Sequence, residues 1–140
     1  MDEKSKNPGD LGELDMDEIS DRIGLLQESL DELEQAKVFP LQFKITLTTY
    51  LDFRGELLAL IGGHINAKNT SIDTIKQLKG KENEVNQIAK EVYSMCEAYQ
   101  AENAAEDIME HYNKEVERTD KKFSITKLFS KKSSTTDSNT

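Results

Sequence analysis

The side chains that could do chemistry are few and lie far apart along the 140-residue chain. Asp107 and His111 are spaced i, i+4, so on a helix they would share one face, a spacing that suits two ligands of a metal ion. A metal site built from helices also needs ligands from other segments, and the second of the two histidines is His64. We predict that His64 is a solvated turn residue or a helix cap, and that Glu106, Asp107 and Glu110 form a solvated helix face.

The single cysteine, Cys96, gives no sign of a reactive site. It follows Met95 on the apolar side of a predicted helix, so we interpret it as a small buried apolar residue and not as a nucleophile. A lone cysteine forms no internal disulfide and fits a reducing compartment. The pair Gly62-Gly63 lacks the following glycine and the Lys-Ser/Thr of a phosphate-binding loop. We therefore predict a non-enzymatic protein without a metal or a cofactor.

A long amphipathic stretch between Ile72 and Val116 organises the predicted fold. Its apolar residues mostly recur at steps of three and four, which predicts a helix over 71–118. Gly80 is the one predicted point at which this helix could divide, and the register of the apolar face shifts after Tyr99. Such a helix would extend about 65–70 Å, so other helices or a second copy of the chain must lie along it. Its seam residues are Val85, Ile88, Val92, Met95 and Tyr99.

A strict heptad pattern lies near the N-terminus. Asp15 is predicted to cap a helix over 15–38, which Pro40 would end. Its apolar residues alternate steps of three and four, as in a coiled-coil seam, and they are Met16, Ile19, Ile23, Leu26, Leu30 and Leu33. So narrow a seam favours pairing with one or two partner helices. The alternative is an ordinary helix packed within the chain.

Residues 41–62 fit two kinds of secondary structure. Phe43 and Ile45 alternate with polar residues as in a strand, but no other segment would pair with that strand. As a helix, most of the apolar residues fall within an arc of about 120°, with Ile45, Phe53 and Leu60 outside it. We predict a helix that ends at Gly62-Gly63 and that, as the most apolar element, lies between the other two.

Charge is unevenly distributed along the chain. Residues 1–37 carry a net charge of −8 and residues 81–120 carry −7, whereas 38–80 carry +2 and 121–140 carry +4, within a total of −9. The outer faces of the first and third predicted helices are therefore anionic, which argues against direct nucleic-acid binding by the helical body. We interpret residues 1–14 as a flexible acidic leader.

Residues 119–140 are interpreted as a basic amphipathic segment followed by a disordered tail. Lysines surround apolar side chains in the part that we expect to make contacts, which comprises Lys121, Lys122, Phe123, Ile125, Lys127, Leu128, Phe129, Lys131 and Lys132. Three interpretations are open. The segment binds an anionic membrane surface, docks into a groove of another protein, or folds back onto the acidic helices.

The sequence thus predicts an all-α fold, either an antiparallel bundle of three to four helices or an elongated helical hairpin with coiled-coil character, with disordered termini. We predict a helical interaction or scaffold protein that self-associates or pairs through its seams and reaches an anionic membrane through its basic segment. The alternative is a soluble acidic binding protein, such as an inhibitor, immunity protein or adaptor, that engages a basic partner protein. Without a signal peptide or a membrane-spanning run, the predicted location is cytoplasmic, and peripheral at the membrane in the first interpretation.

Overall fold

The computed structural model describes residues 13–123, and the regular structure of this range is helical, with no strand. The elements are α1 (Met16–Ala36), α2 (Pro40–Ile65), α3 (Ile72–Glu102), a 3₁₀ turn (Ala104–Glu106) and α4 (Ile108–Phe123). This confirms the all-α prediction. Most of the predicted acidic leader lies outside the described residues, but Leu14 packs against the core.

Side-chain caps define where α1 and α3 begin. The carboxylate of Asp15 accepts hydrogen bonds from the backbone N–H groups of Asp17 and Glu18, at 3.0 and 3.1 Å. The Oγ of Ser71 accepts one from the N–H of Thr74 at 3.1 Å. A cap satisfies N–H groups that have no partner within the helix and typically contributes about 1 kcal/mol.

Helix α2 continues past Gly62 and Gly63 to Ile65, so the prediction that the two glycines end it is wrong. Gly63 and His64 are buried against the rest of the molecule. Packing therefore holds the helix together where local propensity alone would end it. The helix ends at Asn66, whose side-chain Nδ2 donates a hydrogen bond to the carbonyl of Gly62 at 2.9 Å.

The predicted helix over 71–118 is interrupted at Asn103 and not at Gly80. Gly80 is exposed within α3, and the cost of about 1 kcal/mol for a helical glycine is small beside the burial of the apolar face. The interruption follows Tyr99, where the register of that face shifts. A helix can bury only one face along its length, so the shifted apolar residues need a new axis.

Gln100 holds the turn between α3 and α4. Its side-chain Nε2 donates hydrogen bonds to the carbonyl groups of Asn103 and Ala104, at 3.3 and 3.1 Å. Its Oε1 accepts a hydrogen bond from the backbone N–H of Met109 at 2.9 Å. One side chain thus satisfies backbone groups of the 3₁₀ turn and of the first turn of α4, which fixes the reversal of the chain.

Helices α2 and α3 form the centre of the molecule, because each contacts both α1 and α4. Phe43 at the start of α2 stacks on Tyr99 at the end of α3, with ring centroids 4.2 Å apart. Tyr93 of α3 meets Tyr112 of α4 edge-on at 5.3 Å. Successive helices therefore run in opposite directions. The α1–α2 and α3–α4 turns lie at one end, here called the apex end, and the α2–α3 turn lies at the other, the tail end. Helix α4 is shorter than α2 and ends beside Gly55, part-way along α2.

The middle segment buries the arc that the helical interpretation predicted. Phe43, Leu47 and Tyr50 are buried, whereas Ile45 and Phe53 are 50 and 46 % exposed. The choice of helix over strand is confirmed. The exposed apolar side chains of α2 are the part of this helix that its three neighbours leave uncovered.

Candidate functional site

The predicted seam residues meet inside the chain's own core. Most of them are buried, namely Ile19, Ile23, Leu26, Leu30, Leu33, Val85, Ile88, Val92 and Tyr99. Met16 and Met95 are partly buried and pack against the same core. In this conformation the chain's own helices cover the seams, so pairing with a second chain through them would require the helices to separate. Self-association stays a prediction.

Large apolar side chains are exposed at the α1–α2 turn. Val38 is 73 %, Phe39 64 %, Leu41 72 % and Ile45 50 % exposed. We call these four residues the apex patch. No periodic pattern in the sequence predicts this patch, although the position of Ile45 outside the predicted buried arc is a signal. Such a group of exposed apolar residues marks a contact surface more often than single exposed residues do.

Acidic side chains lie at the α3–α4 turn of the apex end. Glu106 lies close enough to Tyr99 for its charge to add to burial in raising the pKa of the tyrosine hydroxyl. Glu102 and Asp107 are exposed on either side of the 3₁₀ turn. Lys37 and Lys44 flank the apex patch in the sequence, and Lys37 pairs with Glu34 at 3.2 Å. The acids of the α3–α4 turn are complementary to a basic surface.

A second apolar surface lies in the groove between α1 and α2. A cavity of about 270 Å³ is lined by Arg22, Leu25, Phe53 and Glu56. Leu25 and Phe53 are about half exposed, at 50 and 46 %. Arg22 is engaged with Glu18 of its own helix, at 2.9 Å. We call this surface the α1–α2 groove.

Helix α4 ends in the first of the predicted contact residues. Lys121 and Lys122 are exposed, whereas Phe123 is half-buried against α2. A Cβ atom on Gly55 would lie only 2.9 Å from Cδ2 of Phe123 and 3.3 Å from Cβ of Thr119, so the absence of a side chain at Gly55 makes room for the ring. The other predicted contact residues lie outside the described range, namely Ile125, Lys127, Leu128, Phe129, Lys131 and Lys132.

The α2–α4 interface carries polar pairs as well as the contact at Gly55. Thr48 Oγ1 and His111 Nε2 are 2.8 Å apart and share a hydrogen bond. The Arg118 guanidinium donates to Asp52 at 3.0 Å and to Glu115 at 2.7 Å. These two hydrogen bonds raise the pKa of Arg118.

Arg54 is a cation without a partner at this interface. Its Nε and Nη1 atoms are buried and have no hydrogen-bond partner among residues 13–123. The side chain lines a cavity of about 350 Å³ together with Leu58, Asp120 and Phe123. The hydroxyl of Tyr50, one helical turn earlier, is likewise buried without a hydrogen-bond partner in the described structure. Buried donors without acceptors are costly.

The candidate metal ligands do not converge. Across the described residues no group of three or more His, Cys, Asp or Glu side chains could hold a metal ion. Asp107 adopts a left-handed backbone conformation, with φ of 51°, immediately before α4. His64 is only 7 % exposed, so the prediction that it is solvated is wrong, and burial lowers its pKa.

Cys96 is fully buried on α3. Burial raises the pKa of its thiol to about 12, because the thiolate would lose its hydration. The thiol is therefore protonated at neutral pH and is not an activated nucleophile.

Comparisons with known proteins give no functional lead: no protein-family model, curated protein or solved structure matches this sequence. Among the helices of residues 13–123, none combines the length and the apolar character needed to cross a membrane.

Proposed function

We propose that this chain is a non-enzymatic adaptor, a helical bundle with coiled-coil character that is held at an anionic membrane surface by its basic C-terminal segment and presents its apex patch to a protein partner. The observation that carries the proposal is the separation of the two surfaces. The apex patch lies at the start of α2, and Lys121, Lys122 and Phe123 lie beside its second half. Phe123 packs at Gly55, so the two surfaces are separated by about 15–24 Å along α2.

The membrane contact is an electrostatic one with apolar support. Each lysine near an anionic surface contributes about 1 kcal/mol, and apolar side chains entering the headgroup region add to this. The anchoring of Phe123 at Gly55 fixes the point from which the basic segment leaves the body. The acidic outer faces of α1 and α3 are repelled by the same lipids, which favours an orientation with the tail end at the membrane.

Removal of residues 124–140 tests the membrane contact. This truncation keeps Phe123, so the contact at Gly55 and the fold are preserved. We expect the full-length chain to bind vesicles of phosphatidylserine and phosphatidylcholine at low salt, and the truncated chain to lose most of that binding. Replacement of Lys127, Lys131 and Lys132 by glutamine should weaken binding at unchanged length. Equal vesicle binding by the full-length and truncated chains would refute the membrane function.

A soluble acidic binding protein is the second candidate, and the exposed acids at the α3–α4 turn support it. Here the partner has an apolar face edged by lysine or arginine, and no membrane is involved. A synthetic amphipathic helix of leucine and lysine is a suitable probe. We expect Val38→Ser combined with Phe39→Ser to weaken its binding at least about fivefold, which corresponds to about 1 kcal/mol. Ile72→Ser is the matched control, because it removes an exposed apolar side chain, 73 % exposed, at the opposite end of the molecule.

The oligomeric state separates the adaptor from a self-assembling scaffold. Pairing of two copies through their apex patches would place the two tail ends at opposite ends of the dimer, where they could not both reach one flat membrane. The adaptor therefore predicts a monomer by size-exclusion chromatography with light scattering. A stable dimer would instead favour the self-association that the seams predicted.

A further inference from the structure

The α1–α2 groove has the chemistry of a binding site for the chain's own basic segment. Its floor is apolar, since Leu25 and Phe53 line it. Asp21 and Glu28 lie on the same face of α1 as Leu25, at i−4 and i+3, and both are exposed. Glu56 closes the groove on the α2 side. None of these three acids forms an ion pair with another residue of the described range.

The basic segment leaves the body close to this groove. Phe123 packs at Gly55, which is within one helical turn of both Phe53 and Glu56 on α2. The segment must therefore cross the outer face of one helix, whose diameter with side chains is about 10–12 Å. The five or six residues from Phe123 to Leu128 and Phe129 span up to about 17–20 Å when extended. Their apolar side chains can reach the groove within the same chain.

The neighbouring cavity at the end of α4 is a poorer site for the same segment. It is lined by Arg54, whose guanidinium has no anionic partner among residues 13–123. Asp120 also lines the cavity, so its charged side chains sum to zero and offer a lysine-rich segment no net attraction. The α1–α2 groove offers the opposite charge, since its own cation, Arg22, is already paired with Glu18.

We propose that Leu128 and Phe129 dock into the α1–α2 groove, with Lys127 facing Glu56 and with Lys131 and Lys132 facing Asp21 and Glu28. The docked segment is then withheld from lipid, so the contact is autoinhibitory. The docking stands by itself, but its effect on membrane binding rests on the function proposed above. Because the segment is covalently attached, its effective concentration at the groove is in the millimolar range, and a weak contact is enough to hold it.

A spin label next to the docked residues tests the contact directly. Ser133→Cys places a nitroxide beyond Lys132, and the buried Cys96 is inert to the labelling reagent. In the full-length chain we expect the label to broaden the amide signals of Leu25 and Phe53 strongly and those of Leu41 weakly. Uniform broadening, no broadening, or broadening at Leu41 that grows with protein concentration would overturn the proposal, the last by indicating docking to the apex patch of another copy.

Vesicle binding tests whether the docked segment inhibits membrane binding. We expect Leu25→Ser combined with Phe53→Ser to abolish the broadening at the groove and to tighten binding to phosphatidylserine vesicles about three- to tenfold, since apparent affinity scales with the fraction of chains whose segment is free. Val38→Ser with Phe39→Ser is the matched control and should leave both readouts unchanged. If the label reports docking but no variant binds vesicles, the membrane function fails and the docking stands. If vesicles bind the full-length chain and the groove variant equally, the autoinhibition is refuted.

Discussion

Helix α2 packs against α1 and α4 in two different ways. Towards α1 the contact is apolar, with Leu26 and Leu33 wholly buried in the common core. Towards α4 the contact includes the hydrogen bond to His111, the ion pair of Asp52 and the close approach of Phe123 to Gly55. The stability of the α1–α2 interface thus depends on the amount of apolar surface that it buries. The stability of the α2–α4 interface depends on specific hydrogen bonds, an ion pair and a close steric contact. This difference decides how each interface responds to substitution.

The largest effect is expected at the apolar interface. Leu26→Ala removes a side chain with no exposure and leaves a cavity, so we expect the free energy of unfolding in urea to fall by about 2–5 kcal/mol. Leu25→Ala, at the adjacent position but half exposed, is the control and should cost less than about 1 kcal/mol. Similar losses for the two variants would mean that α1 does not bury the face described here.

Gly55→Ala is the corresponding test of the α2–α4 interface. The new Cβ would meet the ring of Phe123 at 2.9 Å, so either the ring or α4 must shift. We expect a loss of about 1–3 kcal/mol, the range for overpacking, measured by urea denaturation. Combining Gly55→Ala with Phe123→Ala should recover part of the loss, since the clashing ring is gone. If the two losses are simply additive, the close contact is not what makes Gly55 necessary.

Arg54 provides a test in which removing a charge should not harm the protein. Arg54→Met keeps the aliphatic stem and removes buried donors that lack partners, so we expect stability to stay the same or to rise by about 1 kcal/mol. Arg118→Met breaks the ion pair with Asp52 and should lower stability by up to about 1 kcal/mol. A clear loss with Arg54→Met would indicate that its guanidinium has an anionic partner in solution.

His64 should make stability depend on pH at the tail end. Burial lowers its pKa in the folded state below the usual value of 6.5, so the unfolded chain binds a proton more readily. The contribution of His64 to the free energy of unfolding is therefore fully present above about pH 7. It decreases as the pH drops through 6.5 and below, by at most about 1.4 kcal/mol per pH unit. The free energy of unfolding should differ less between pH 7.5 and pH 5.5 in His64→Gln than in the unsubstituted protein. An unchanged difference would assign the pH dependence to other groups.

The two interfaces also differ in how far the sequence predicts them. The heptad steps of α1 predict its buried face, because periodicity alone determines which side chains share one side of a helix. The shift of register after Tyr99 marks the end of α3, although the hydrogen bonds of Gln100 that make the turn cannot be read from spacing. The contact between Gly55 and Phe123 joins positions far apart in the chain, so no local pattern predicts it.

The exposed apolar surfaces are predicted less well than the core, for a related reason. A seam pattern specifies that a helix needs a neighbour, but it does not specify whether that neighbour belongs to the same chain. The four-helix arrangement supplies the neighbours internally and leaves Val38 and Phe39 exposed at a turn. These two residues belong to no periodic pattern, so only the three-dimensional structure distinguishes them from ordinary linker residues.

The smallest effect is expected for a glycine-to-alanine substitution at an exposed helical position. Gly80 is exposed within α3, and a Cβ atom there would meet nothing within 4 Å. Gly80→Ala should therefore raise the free energy of unfolding by about 0.5–1 kcal/mol, the gain in helix propensity. Gly24→Ala in α1, equally free of contacts, is a second site where the same gain is expected. If Gly80→Ala lowers stability as Gly55→Ala does, then α3 is not continuous through Gly80. The helix would then divide at Gly80, as one of the two sequence-based interpretations predicts.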